Sequence, residues 1–273
     1  MKRFIYISLV IMAGAIMVNG TLPSKAPQVP LGDGSKLRTI KHDAFKRGEV
    51  LKYRVHYGFI DAGEAIVEVK DENKLIGGRP TYHVVANGYS KGSFDWFFKV
   101  RDKYESYIDE ETMAPWVFIR RCDEGGYKIN QNYVFNQHKK TVDADGKNFD
   151  TPEYVQDLIS SFYYARTLDF STAKKGDIFT ITSFVDNEIF ELKIKYMGKE
   201  TIKTNLGKFK CIKFRPVVQK GRIFKSEEDL NVWVSDDKNK LPIRAEAKIL
   251  VGSIKLDLIG YMNLASPISI VTN

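Results

Sequence analysis

The sequence predicts a mainly β protein: a strongly curved antiparallel sheet of about ten strands, half-barrel or open barrel, with one main covering helix near residues 152–168. Three observations predict it. Apolar and polar residues alternate at period two from Glu49 almost to the C-terminus. Glycine-rich turns separate the alternating runs. One stretch, beginning after Thr151, instead carries its apolar residues at helical spacing. A split sandwich is the main alternative for this many short strands.

The elements follow in chain order. Between Glu49 and Val69, Leu51, Tyr53, Val55 and Tyr57 share one face, and Lys52, Arg54 and His56 share the other. Gly58 and Gly63 bracket a reversal, after which Ala65, Val67 and Val69 alternate with Glu64 and Glu68. Tyr82, Val84 and Ala86 form the next strand, which Gly88 and Gly92 interrupt. A mixed aromatic segment, Phe94 to Val100, precedes a short strand from Tyr104 to Ile108. Trp116 to Arg121 alternates weakly, as a strand buried on both sides or twisted would. It forms a hairpin with Tyr127 to Phe135 across a turn whose Gly125-Gly126 pair can take positive φ.

In the helix, Thr151 is the expected cap, Pro152 suits the first position and Glu153 complements the dipole. Val155, Leu158, Ile159 and Phe162 make its apolar stripe, Gln156, Asp157, Ser160 and Ser161 its opposite side, and its end is expected around Leu168. Strand alternation then resumes at Leu192 to Tyr196, Ile212 to Arg215, Leu230 to Ser235, Ile243 to Leu250 and Ser253 to Ile259.

Residues 1–20 have the pattern of a secretory leader: Lys2 and Arg3, an apolar run from Phe4 to Val18, and small Gly20 at its end. That run is shorter than the roughly 20 residues a membrane span needs. Residues 21–44, with Pro23, Pro27, Pro30, Gly32 and Gly34, read as a flexible tether, 45–264 as one β-rich domain, and 265–273 as a tail. A second domain would divide from the first within the polar stretch 136–150. A membrane barrel is disfavoured because outward rows are Lys-rich where lipid needs an apolar belt.

No catalytic residue, metal or cofactor is expected. Gly88-Tyr89-Ser90-Lys91-Gly92 matches a hydrolase elbow in letters but lacks the repeated βα context. His42, His56, His83 and His138 lie in unrelated segments, with His56 and His83 able to approach only if their strands pair. Cys122 and Cys211 are compatible with a disulfide or with two buried thiols. Asp102, Glu105, Asp109, Glu110 and Glu111 read as solvated face residues. Loss of the leader lowers the formal charge from +8 to +6. Lys208, Lys210, Lys213, Arg215, Lys220, Arg222 and Lys225 concentrate positive charge, which suits a soluble face, an envelope protein or an anionic glycan. Nothing suggests nucleic-acid binding.

Six segments in order, residues 45–69, 102–109, 114–135, 157–166 (DLISSFYYAR), 207–216 and 233–258, resemble the exported bacterial proteins called domain of unknown function 3108, in a Bacteroidetes-like form. The resemblance implies the half-barrel of periplasmic lipoprotein carriers, a periplasmic or extracellular location, and no established activity. On that basis the protein is expected to be a non-enzymatic monomer binding an apolar or lipid-like ligand in a concave sheet face. Its lining would comprise Tyr53, Val55, Tyr57, Val67, Tyr133, Phe135, Leu256 and Leu258. A structural or interaction module of the envelope is the alternative, and an envelope hydrolase a remote third.

Overall fold

A computed structural model describes residues 36–217, 229–249 and 252–271. The leader, residues 21–35 of the predicted tether, Lys220, Arg222, Lys225 and the last two residues of the tail lie outside the described residues.

The chain enters the sheet at β1 (Val50–Tyr57), turns at Gly58-Phe59 into β2 (Ile60–Val69), and passes through short β3 (Lys74–Ile76) into β4 (Arg79–Ser90). A six-residue helix, α1 (Gly92–Phe97), precedes the meander β5 (Val100–Asp109), β6 (Pro115–Glu124), β7 (Tyr127–Asn136), β8 (Thr141–Ala144) and β9 (Lys147–Asp150). Helix α2 (Leu158–Thr167) follows, then β10 (Ile178–Val185), β11 (Glu188–Thr204) and β12 (Gly207–Pro216). The last three strands are β13 (Leu230–Ser235), β14 (Pro242–Lys248) and β15 (Ser253–Met262). All belong to one antiparallel sheet in the order β10-β11-β12-β13-β14-β15-β1-β2-β4-β5-β6-β7-β8-β9, with β3 beside β4.

This order corrects the half-barrel expectation. Strands β9 and β10 are the two ends of the path, and no ladder joins them among the described residues, so the sheet is open and not a closed or strongly curled half-barrel. Period-two alternation identifies the buried face of each strand but carries no information about whether two edges meet. The fifteen strands among the described residues exceed the expected ten: β3, β8 and β9 are too short to show alternation, and β10 carries apolar residues on both faces. The polar stretch 136–150 contains the β8–β9 hairpin, closed by Asp145-Gly146 with φ of 50° and 86°. The Gly125-Gly126 hairpin is present as expected. Gly63 has a different role: it sits inside β2, where a Cβ would lie 2.3 Å from the Tyr89 carbonyl oxygen of β4.

The topology makes α2 the crossing element: the chain leaves one end of the strand order at β9 and resumes at the other in β10, with α2 in the connection between them. Residues 151–157 are not helical, which corrects the predicted start. The cap is Asp157, whose Oδ1 accepts the amides of Ile159 and Ser160 at 2.7 Å each, while Ser160 Oγ accepts the Asp157 amide at 2.8 Å. Val155, Leu158 and Ile159 are buried as expected, but so are Gln156, Asp157, Ser160 and Ser161. Both sides of the helix are covered: Ser106 of β5 donates to Asp157 Oδ2 at 2.6 Å, and the Ser161 and Ser183 hydroxyls meet at 2.7 Å.

Arg166, in the last turn of α2, is buried. Its guanidinium donates to both carboxylate oxygens of Glu49, at 2.6 and 2.8 Å, and to the carbonyls of Ala44 and Asn239, each at 2.9 Å. The rings of Phe45, Phe162 and Tyr163 surround it. One side chain therefore joins the helix to the segment before β1 and to the β13–β14 connection. Within the stretch read as a tether, the Arg38 amide donates to Tyr154 Oη at 2.9 Å and the Ile40 amide to the Glu111 carbonyl at 2.7 Å.

Removing Arg166 leaves the Glu49 carboxylate buried without its cation. Arg166→Met is expected to cost about 3–5 kcal/mol in urea unfolding. Adding Glu49→Gln should restore part of that loss, and strictly additive costs would show that the pair is not coupled. Asp157 supplies a pH signature. Burial pushes its carboxyl from 3.8 up to about 6, against the pull of its hydrogen bonds. The fold thus prefers the neutral acid: this stabilisation is complete below about pH 4 and lost as pH rises through 6. Asp157→Asn keeps the cap, so its stability relative to the parent should rise by about 3 kcal/mol between pH 4 and 8; a flat difference would refute the assignment.

Candidate functional site

The eight residues expected to line a groove project from one face of the sheet, as the register predicts, and there they pack into the protein's own core. Tyr133 and Phe135 are buried in a cluster with Phe118, Val142, Tyr163 and Phe184, in which the Tyr133 and Phe184 rings lie 5.1 Å apart. Tyr53, Leu256 and Leu258 belong to a second cluster with Leu51, Phe209, Cys211, Trp233 and Ile243. Val55, Tyr57 and Val67 are half-buried at the margins of these groups.

Polar residues were the part of the interior that alternation missed. Arg120 continues the inward row of β6 after Trp116 and Phe118, and donates to Asp186 Oδ1 at 3.1 Å in the β10–β11 turn. Gln131 donates to the same oxygen at 3.0 Å. Next along β6 stand Cys122 and Glu124, with Asp102 opposite Cys122 on β5. Among the described residues, these three form the one group whose ligand atoms converge, all lying within 4.8 Å of one another and all buried. Thiolate and carboxylate donors together can hold a metal ion. Here burial, reinforced by Asp102, pushes the Cys122 thiol up to about 12, and Arg120 beside it supplies the local positive charge. Asp102 and Asp109 are both buried, which corrects their reading as solvated acids. Burial raises the Asp109 carboxyl, but Arg79, the Thr112 amide and Trp116 outweigh it and the net shift is downward.

The exposed chemistry gathers at one end of the sheet. The β1–β2 turn, the β4–β5 connection carrying α1, and the β6–β7 turn lie side by side there, because Tyr57 pairs with Ile60, Gly63 with Ser90, and Val100 with Glu124. Helix α1 buries none of its residues. It is held by polar anchors. Glu64 accepts from Tyr89 Oη at 2.9 Å and pairs with Lys91 at 2.7 Å and Lys52 at 3.2 Å, and the Lys91 contact leads in holding its carboxyl down at about 2. On the other side Asp95 pairs with Arg101 at 2.7 Å and accepts from Ser90 Oγ. So held, α1 presents Trp96 at 83% exposure and Phe97 at 75%, with Phe59 fully exposed and Ile60 half-exposed on the adjacent turn. The sequence marked Phe94 to Val100 as aromatic, but only the neighbouring turn shows that its rings add to an apolar rim.

Other motifs resolve separately. Ser90 does lie between a strand and a helix, yet its hydroxyl is engaged by Asp95 and by the Val100 amide at 2.7 Å. His138 stacks on Trp116, at the opposite end of β6 from the residues beside Ser90. His83 bonds Glu72 and Glu105, and β2 separates its strand from that of His56. In the basic segment, Lys208 and Lys210 lie on one face of β12 and Lys213 and Arg215 on the other. Lys213 reaches Glu200 at 3.5 Å and lies over the Trp233 ring.

The sequence profile of the protein family of unknown function DUF3108 matches residues 52–259. The chain belongs to that family. No curated protein matches it. Among solved structures, it is similar to a β-barrel-like protein of domain of unknown function DUF1849 from Brucella abortus, with 8% identity and a TM-score of 0.55 over 83% of this chain and 98% of the other. That likeness concerns the fold alone, and the sheet here keeps two unjoined edges. A protein described as a lipoprotein from Parabacteroides distasonis and one described as exported, with a YmcC-like fold, from Bacteroides fragilis each align at 12% identity and a TM-score of 0.31. Each alignment covers 83% of this chain and all of the other.

Cys122 and Cys211 are free thiols in different clusters, and burial pushes both up to about 12. Neither should react appreciably with a thiol reagent in the native protein, and both should react in denaturant without reductant. Failure to label both after unfolding would indicate a disulfide.

Proposed function

We propose that this DUF3108 protein is a non-enzymatic component of the cell envelope, exported to the periplasm or beyond, that acts as an interaction module and not as a carrier of apolar cargo. The observation that carries the proposal is the burial of the expected lining residues: five of the eight are buried in two clusters of the protein's own side chains, which Val67 and Phe162 join. A carrier needs apolar side chains that face a common space, since a ligand must replace water there to gain binding energy. Such side chains have instead been satisfied by Phe184, Trp233, Leu241 and their neighbours. The leader pattern of Lys2, Arg3 and the apolar run supports export. Engagement of Ser90 within the α1 anchor supports a non-enzymatic role.

Organic extraction of the purified protein should yield no stoichiometric lipid, and titration with a fluorescent fatty acid should give no saturable signal. The immobilised protein should retain envelope material in a pull-down. Recovery of about one lipid per chain would overturn the proposal.

A further inference from the structure

We infer that the rim formed by Phe59, Ile60, Trp96 and Phe97 docks on the surface of an anionic lipid bilayer. The inference rests on the interaction reading and names the partner. Large apolar side chains left exposed together are costly in water and mark a contact surface. Here the exposure is built in. Helix α1 has no buried residue of its own, yet two ion-paired carboxylates, Glu64 and Asp95, hold it against the sheet. The Trp96 and Phe97 rings contact each other edge-on, with centroids 4.9 Å apart, and both remain exposed. Phe98 turns the other way and lies against Gly125, where a Cβ would approach its ring to 2.5 Å. Alternate sides of one short segment thus serve as anchor and as contact.

Shape and charge favour a bilayer. The rim consists of tips: Phe59 stands at the two-residue turn between β1 and β2, and Trp96 and Phe97 project from a six-residue helix. A convex tip requires a pocket in a protein partner, whereas the headgroup layer of a membrane yields to it. Trp and Phe with nearby Lys have the composition found at membrane–water boundaries. Around the rim, Arg54, Lys91, Arg101 and Lys128 pair with Asp61, Glu64, Asp95 and Asp123. Lys99 makes no ion pair among the described residues and adds a positive charge beside the rings. Without its leader the chain carries a formal charge of +6, so an anionic surface attracts it from a distance and the rings then insert. Among the described residues no helix is long and apolar enough to cross a membrane, and contact through this rim requires none.

The test is flotation of the full mature chain with vesicles of phosphatidylethanolamine and phosphatidylglycerol. Trp116 and Trp233 are buried and Trp96 is exposed, so a blue shift of tryptophan fluorescence on adding vesicles reports Trp96. Flotation with that blue shift is expected, with weaker flotation on phosphatidylcholine alone. The triple variant Phe59→Ser/Trp96→Ser/Phe97→Ser alters only exposed side chains, so its thermal midpoint should match the parent, while its partitioning should fall by about tenfold or more. Absence of flotation, or undiminished flotation of a folded triple variant, would overturn the inference. Equal flotation on both lipid compositions would overturn its charge component. None of these results depends on fatty-acid uptake by the interior, so the docking inference and the packed-module reading fail separately.

Discussion

The fold depends on a buried cation placed where three distant parts of the chain meet. Arg166 closes α2 onto Glu49, Ala44 and Asn239, so the segment before β1, the crossing helix and the β13–β14 connection share one side chain. Desolvating a guanidinium and a carboxylate is expensive, and the bidentate geometry offsets that cost only in one arrangement. A hydrophobic contact would tolerate sliding. This one fixes the position of the helix on a sheet whose first half ends at one edge of the strand order and whose second half begins at the other. Asp157 does the same at the other end of α2, where its carboxyl caps the helix and accepts the hydroxyl of Ser106 on β5.

The stretch DLISSFYYAR that carried part of the family resemblance begins and ends on these two residues. Its apolar positions were legible because helical spacing separates them from their neighbours. Its polar positions fall on the side opposite the apolar stripe, and hydropathy describes a side chain and not what lies against it. Gln156, Ser160 and Ser161 are buried by elements on the second side of the helix that no local pattern reveals. The same blindness affected Arg120 and Asp102, which continue apolar inward rows. Strand alternation would have placed both inside had their charge not argued otherwise.

Filling the interior moves the functional question outward. Aromatic residues that looked available to a ligand pack on Phe184 and Trp233, while the rings of α1, which gave no regular pattern, stand in solvent. The contrast is physical. Rings inside were desolvated by folding and have little surface left to offer, whereas Trp96, Phe97 and Phe59 retain theirs. Rigid polar anchoring by Glu64 and Asp95 keeps that surface presented without an entropic cost at each encounter.

The sequence by itself determined the strand-rich composition, the main hairpins, the presence and end of the long helix, and membership of DUF3108, because period, turn chemistry and motif order are local properties. Tertiary structure alone decided that the sheet stays open, that Asp157 and not Thr151 caps α2, that the expected lining residues pack into the protein's own core, and that the exposed aromatics converge at one end. Each of these depends on which distant segments pack together. Alternation fixes the side of a strand that is buried, but the partner that buries it is chosen by long-range pairing and by the few buried charges that accept only one geometry.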